Sequence, residues 1–206
     1  NHKGGVMKRT VIGCWVLLCG LALVSGAVVA QSTIPETSIY NPGKLKPFDS
    51  TLKVKTGDKA PEFSLPAVSG KLVTLSDFFG KKNVVLSFVP AAWTPVCSDQ
   101  WPGNNLVKDI FDMNDTVILG ITVDNLPTLH AWTLEMGGVW FEVLSDFWPH
   151  GAVADRYGVL RGDGVTERAM IFIDKEGIIR TTMVTDINER PDLKSCVMAI
   201  EEMNKN

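Results

Sequence analysis

Thiols, imidazoles and surplus positive charge are what this chain has least of. Its 206 residues include four cysteines and three histidines. Two of the cysteines, Cys14 and Cys19, fall within the first thirty residues, and the remaining pair, Cys97 and Cys196, cannot make a disulfide scaffold. There is no CxxC pair, no Cys-His cluster at metal-ligand spacing and no phosphate-cradling glycine-rich loop, so neither a metal nor an organic cofactor is expected. His2, His130 and His150 are scattered and read as solvated or capping residues. Twenty basic residues against 23 acidic ones give a net charge of −3, which leaves nucleic acid without an electrostatic footprint. What is abundant is apolar surface: 45% hydrophobic content supports one globular unit with a real core and excludes disorder.

The longest uncharged run is "VIGCWVLLCGLALVSGAVVA", Val11 to Ala30, directly after Lys8 and Arg9. A positive start followed by an apolar stretch is the pattern of a secretory signal, with Val28 and Ala30 where signal peptidase would read before Gln31. Met7 is the expected start, and residues 1–6 are read as additions. Export, to the periplasm, follows. About 20 apolar residues also suit an uncleaved membrane anchor, and that alternative stays open; the membrane is a partner only in that case. Acylation of Cys14 or Cys19 is disfavoured, because Cys14 comes early in the run and Cys19 follows Leu18. Cleavage removes Lys3, Lys8 and Arg9 but no acid, so 17 basic residues face 23 acidic ones, a net charge of −6. Residues 31–51, rich in Ser, Thr, Pro and Lys, read as a linker or extended arm, and residues 52–206 as the domain.

Within the domain, strand-length apolar runs alternate with helix-like segments. "KLVTLSDFFG" (71–80) predicts a short strand and a turn, "NVVLSFVP" (83–90) a buried strand, "DTVILGITVD" (115–124) another and "VLSD" (143–146) a short one. "LPTLHAWTLEMGG" (126–138) and "GAVADRYGVL" (151–160) read as helices, "RAMIFID" and "IIRTTMV" as a hairpin about Lys175-Glu176-Gly177, and "PDLKSCVMAIEEM" (191–203) as a final amphipathic helix. Alternation followed by a hairpin predicts an α/β domain, a mixed central sheet with helices on both faces.

In "VVLSFVPAAWTPVC" the strand ends at Pro90, Thr94 stands at the N-cap position and Pro95 opens a helix. Cys97 is therefore a first-turn residue, where unpaired N–H groups and the positive end of the helix dipole favour thiolate, the nucleophilic form, over thiol. A free cysteine near a turn is as often a small buried hydrophobe, and spacing alone leaves both readings open.

Pro90, Thr94 and Cys97 match the P-x-x-x-T-x-x-C signature of the peroxiredoxins, the alkyl hydroperoxide reductase and thiol-specific antioxidant family. Further blocks resemble the family in order: "GDKAPEFSLPAVSGKLVTLSDF" (57–78), "LSDFWPHGAVADRYGVL" (144–160) and "ERAMIFIDKEGIIR" (167–180). The resemblance spans about residues 52–203 and implies a thioredoxin-like fold and a thiol-dependent peroxidase. It implies Cys97 as the peroxidatic nucleophile, Thr94 as a hydroxyl beside the sulfur and the peroxide, Pro90 as a shield against bulk water and Arg168 as a permanent positive charge at the sulfur. It also implies a peroxide substrate, an external thiol or thioredoxin-like reductant, and a homodimer. The bland readings are a plain cap for Thr94, a strand end for Pro90 and a surface cation for Arg168.

One departure stands out: Pro102 occupies the position, five residues after Cys97, where some members carry a resolving cysteine. Cys196 is the other thiol of the domain. With Leu193, Val197 and Ile200 it lies on one apolar helical face, so core burial is its default and a resolving role its alternative; a one-cysteine mechanism is preferred. Pro102-Gly103 should break the helix that Pro95 opens, splitting it into a short catalytic piece and a second segment. Trp93, Val96, Gln100 and Trp148 are candidate pocket residues, with core packing as the alternative for the tryptophans. Asp146 and His150 fit a turn and a helix start at least as well as acid-base work. The competing functions are an exported thioredoxin-like thiol-disulfide oxidoreductase, which normally needs paired cysteines, and a peroxide sensor that passes oxidation to a partner.

Overall fold

Strand β3 (Asn83–Phe88) sits at the centre because its β-branched and aromatic residues can be buried on both faces of a sheet, and all six of its residues are buried. In the computed structural model, which describes residues 1–2 and 34–204, it is flanked by β4 (Thr116–Thr122) and β6 (Arg168–Ile173). Beyond these lie β5 (Glu142–Ser145) and β7 (Ile179–Thr185), giving the order β5-β4-β3-β6-β7. Pairing is parallel between β3 and β4 and between β4 and β5, and antiparallel between β3 and β6 and between β6 and β7. The sheet is thus mixed, as the alternation followed by a hairpin predicted. The expected signal or anchor segment, with Cys14 and Cys19, lies outside the described residues beyond His2.

A separate hairpin of β1 (Ser64–Pro66) and β2 (Leu72–Thr74) precedes the sheet. β1 is not marked by its sequence: three residues ending in proline carry no period. The helices are α1 (Pro95–Gly103), α2 (Lys108–Met113), α3 (Leu126–Glu135), α4 (Ala152–Tyr157) and α5 (Leu193–Glu202). The break expected at Pro102-Gly103 falls there: α1 stops at Gly103 and a 3₁₀ turn, Asn104–Val107, leads into α2.

Alternation along β3 sorts the helices between the faces. Val84, Leu86 and Phe88 pack with Val153, Ala154 and Tyr157 of α4. Val85 points the other way and packs with Phe111 of α2 and Cys196 and Ile200 of α5. On that second side α1 and α3 meet through Cys97, Trp101, Leu129 and Trp132. Along β6 the same period puts Ala169, Ile171 and Ile173 with α4, and Met170 and Phe172 with α5. Arg168, in step with Met170, therefore opens β6 on the α1 side.

Residues 34–51 run along the domain and bond to it. Tyr40 N donates to Trp93 O at 2.8 Å, and Asp49 N and Ser50 N donate to Glu167 Oε1 at 2.6 and 2.8 Å. Glu167 also accepts from Arg161 Nη1 at 2.9 Å, and both of these side chains are buried.

Candidate active site

The cysteine that the sequence placed in a first helical turn is there: Pro95 is the first residue of α1 and Cys97 the third. Thr94 has the extended backbone of an N-cap residue, but its side chain makes no capping bond. Its hydroxyl instead donates to Ala91 O at 2.9 Å, which corrects the plain capping reading. An oxygen engaged as donor in the preceding loop keeps its lone pairs for another donor. The loop itself is held from β4: Asp124 Oδ2 accepts from Ala92 N at 2.8 Å and from the Thr122 hydroxyl at 2.6 Å. Trp93, within this loop, has a φ of +61°, a conformation uncommon for a bulky residue.

Arg168 reaches across from β6. Both Nη1 and Nη2 donate to Cys97 Sγ at 3.6 Å, Nη1 also donates to Gln100 Oε1 at 2.7 Å, and Nη2 to Ile187 O at 2.8 Å. The arginine is 2% exposed and Cys97 has no exposed surface. A surface-cation reading of Arg168 is thereby excluded. A buried guanidinium with sulfur, amide and carbonyl as acceptors is fixed in orientation, with its charge on the sulfur.

The helix that carries Cys97 is fixed from beneath. Gln100 Nε2 and Trp101 Nε1 donate to Ser87 Oγ at 3.4 and 3.3 Å, and Trp132 Nε1 donates to Ser98 Oγ at 3.0 Å. Trp101 stacks on Trp132 with ring centroids 4.8 Å apart, and a Cβ on Gly120 would come within 2.7 Å of the Trp101 ring. Ser87, a lone hydroxyl inside an apolar strand run, is the sequence signal for this anchor; Asp124 and the Ile187 carbonyl carried none.

A cleft of about 880 Å³ opens over the site, and Pro90, Thr94, Val96 and Arg168 are in its wall. Of the other residues expected to line it, Gln100 holds Arg168 from behind, and Trp93 packs with the α1 and α3 cluster. Trp148 is 83% exposed and takes no part in the cleft wall, because the turn after β5 carries it out to solvent. Asp146 and His150 have local roles: Asp146 Oδ2 accepts from Val153 N and Ala154 N at 3.0 and 2.9 Å at the start of α4, and His150 Nε2 contacts Gly164 O at 2.7 Å. Burial pushes the Asp146 carboxyl above the usual carboxylate range, against the pull of those two N–H groups.

Cys196 lies in α5 with its thiol donating to Met170 Sδ at 3.2 Å, in a different cluster from Cys97. Burial pushes it up to about 11. It is a neutral core thiol at physiological pH.

A mixed α/β sheet, one first-turn cysteine and a buried guanidinium on its sulfur define a cysteine-centred oxidoreductase of thioredoxin-like fold. The model of the AhpC/TSA family matches residues 56–182, and the chain belongs to that family. It is 38% identical over 128 residues to alkyl hydroperoxide reductase E of Mycobacterium tuberculosis, covering 62% of this chain and 83% of the relative. To a thiol peroxidase of Streptococcus sanguinis it is 31% identical over 153 residues, 73% of this chain and 91% of the relative. The reduced 2-Cys peroxiredoxin of Plasmodium vivax superposes with a TM-score of 0.66 at 30% identity, covering 72% of this chain and 81% of that one.

Proposed function

We propose that the protein reduces hydrogen peroxide or organic hydroperoxides, with Cys97 as nucleophile and an external thiol as reductant. The observation that carries this is the pair of Arg168 N–H groups on Cys97 Sγ in a buried site. Thiolate attack on one peroxide oxygen forms the S–O bond and breaks the O–O bond; the departing hydroxide or alkoxide takes up a proton as water or alcohol. Negative charge thus moves from sulfur to the leaving oxygen, and fixed donors stabilise that movement when they are oriented beforehand. Arg168 supplies two such donors, the first turn of α1 supplies N–H groups, and Thr94 sits at the cleft as a hydroxyl partner. Pro90, also in the wall, adds no competing N–H donor and keeps water from the sulfur.

The product on Cys97 is a sulfenic acid. An external thiol condenses with it, releasing water and leaving a mixed disulfide, and a second thiol returns Cys97 to its starting state. The burial of Cys196 and its separate cluster support this one-cysteine route over internal resolution. The lone Cys97 argues against a dithiol oxidoreductase. Export by the N-terminal segment and a homodimer complete the proposal, the first from the signal-like sequence and the second from the family.

Stopped-flow oxidation by hydrogen peroxide tests the reading. Cys97→Ser abolishes the reaction, and Arg168→Ala slows it by roughly two to four powers of ten, the effect of losing charged transition-state donors. Non-reducing peptide maps of the oxidised protein show no Cys97–Cys196 link. Equal rates in all three proteins would refute the proposal.

A further inference from the structure

Hydrogen peroxide is little larger than water, whose share of liquid volume is about 30 Å³, whereas the cleft over Cys97 measures about 880 Å³. That is the size of a site for a whole organic ligand. Its inner side belongs to Pro90, Thr94, Val96 and Arg168, together with Asp163 and Val165. Its outer side comes from two stretches, Tyr40–Leu45 and Asp186–Glu189, and both lie outside the residues matched by the family.

The first stretch is a strap pinned at both ends. At one end Tyr40 N donates to Trp93 O, next to Thr94, at 2.8 Å. At the other Leu45 N donates to Asn188 Oδ1 at 2.8 Å, and Asn188 Nδ2 donates back to Leu45 O at 2.9 Å. Asn41-Pro42-Gly43-Lys44 spans the gap, with Gly43 at a φ of +75°. Asn188 is itself braced by Asp186, and its neighbour Ile187 offers the carbonyl that holds Arg168. Pro42, Leu45, Val96, Val165 and Ile187 make much of the wall apolar. Two of the wall's carboxylates are already engaged, Asp163 with Arg161 and Asp186 with Asn188.

Building on the peroxidase reading above, we propose that residues 40–45 form a substrate-binding strap. It receives the apolar substituent of an organic hydroperoxide, and Asn188 is the specificity-determining residue that clamps it. A hydroperoxide whose reacting oxygens lie at Cys97 and Arg168 extends its substituent outward between Leu45 and Ile187, where burial of apolar surface favours it. Hydrogen peroxide has no such substituent and gains nothing from the strap.

The test is the ratio of second-order rate constants for Cys97 oxidation by cumene hydroperoxide and by hydrogen peroxide, measured on the full chain. Asn188→Ala unpins the strap; Leu45→Ser keeps both backbone bonds to Asn188 and removes the apolar wall. In each variant the ratio falls fivefold or more. A ratio unchanged from wild type, a rise in it, or an equal slowing with both peroxides would overturn the strap. The last outcome would mean that Asn188 acts only through Ile187 and Arg168. Should Asn188→Ala fail to fold, Leu45→Ser decides alone. Wild-type protein unreactive towards both peroxides would overturn the peroxidase reading, and the strap with it.

Discussion

Two cysteines of one chain meet opposite surroundings, and their chemistry follows. Cys97 ends in N–H donors: two from a guanidinium that is itself tied to Gln100 and Ile187. A buried cation persists only where its donors are met, so Arg168 and the sulfur fix each other's place. Cys196 ends in apolar side chains and a thioether, and burial raises it to about 11. That lies above the value of an unfolded cysteine, about 8.5, so the folded state favours the neutral thiol. The resulting stability is fully present below pH of about 8.5 and is lost as pH rises from there to about 11. The stability advantage of wild type over Cys196→Ala, read from urea titrations, should therefore shrink by on the order of 3 kcal/mol across that window. An advantage independent of pH would show that burial does not govern this thiol. Cys196 followed the default of its apolar helical face, whereas spacing alone left Cys97 between a reactive thiol and a small buried hydrophobe.

Elements were legible where periodicity was long and opaque where it was short. β3, β4, α3 and α5 announced themselves through apolar runs and caps; Asp192, for example, accepts from Ser195 N at 2.9 Å at the start of α5. β1 was missed because three residues barely fill one period of a strand, whereas α2 is the second segment expected beyond the break at Pro102-Gly103. Gly158 shows how an element end also serves its neighbours. It closes α4 with a φ of +74°, and a Cβ there would stand 2.3 Å from Lys53 N and Thr51 O. Both clashing atoms are backbone, and Lys53 N is bonded to Tyr157 O, so the chain cannot move aside without losing that bond. Gly158→Ala is expected to cost roughly 2–4 kcal/mol, combining left-handed strain with a steric clash. Thermal melts of the variant check this, and an unchanged melting temperature would contradict it.

At the scale of the whole molecule, the residues before the domain have two parts with different physical character. The segment before Gln31 is apolar and uncharged after Arg9, and expression of the chain in a bacterium with a periplasm should yield a protein whose N-terminal residue is Gln31. Intact-mass measurement decides between that and an uncleaved anchor. The arm after it, read from composition as a linker or extended stretch, bonds along the domain from Tyr40 to Ser50 and walls the cleft. Sequence alone determined the α/β class, the placing of Cys97 in a first helical turn, Arg168 at the start of a strand and the absence of a resolving cysteine at Pro102. These follow from local rules, because caps, breakers and alternation act over a few residues. Tertiary structure alone decided that Arg168 points at Cys97, that Gln100 and Ile187 hold it, that Trp148 turns outward, and that Tyr40 to Leu45 cross the site. Periodicity says which face a residue takes; which partner waits on that face depends on how distant elements pack, and no local pattern records it.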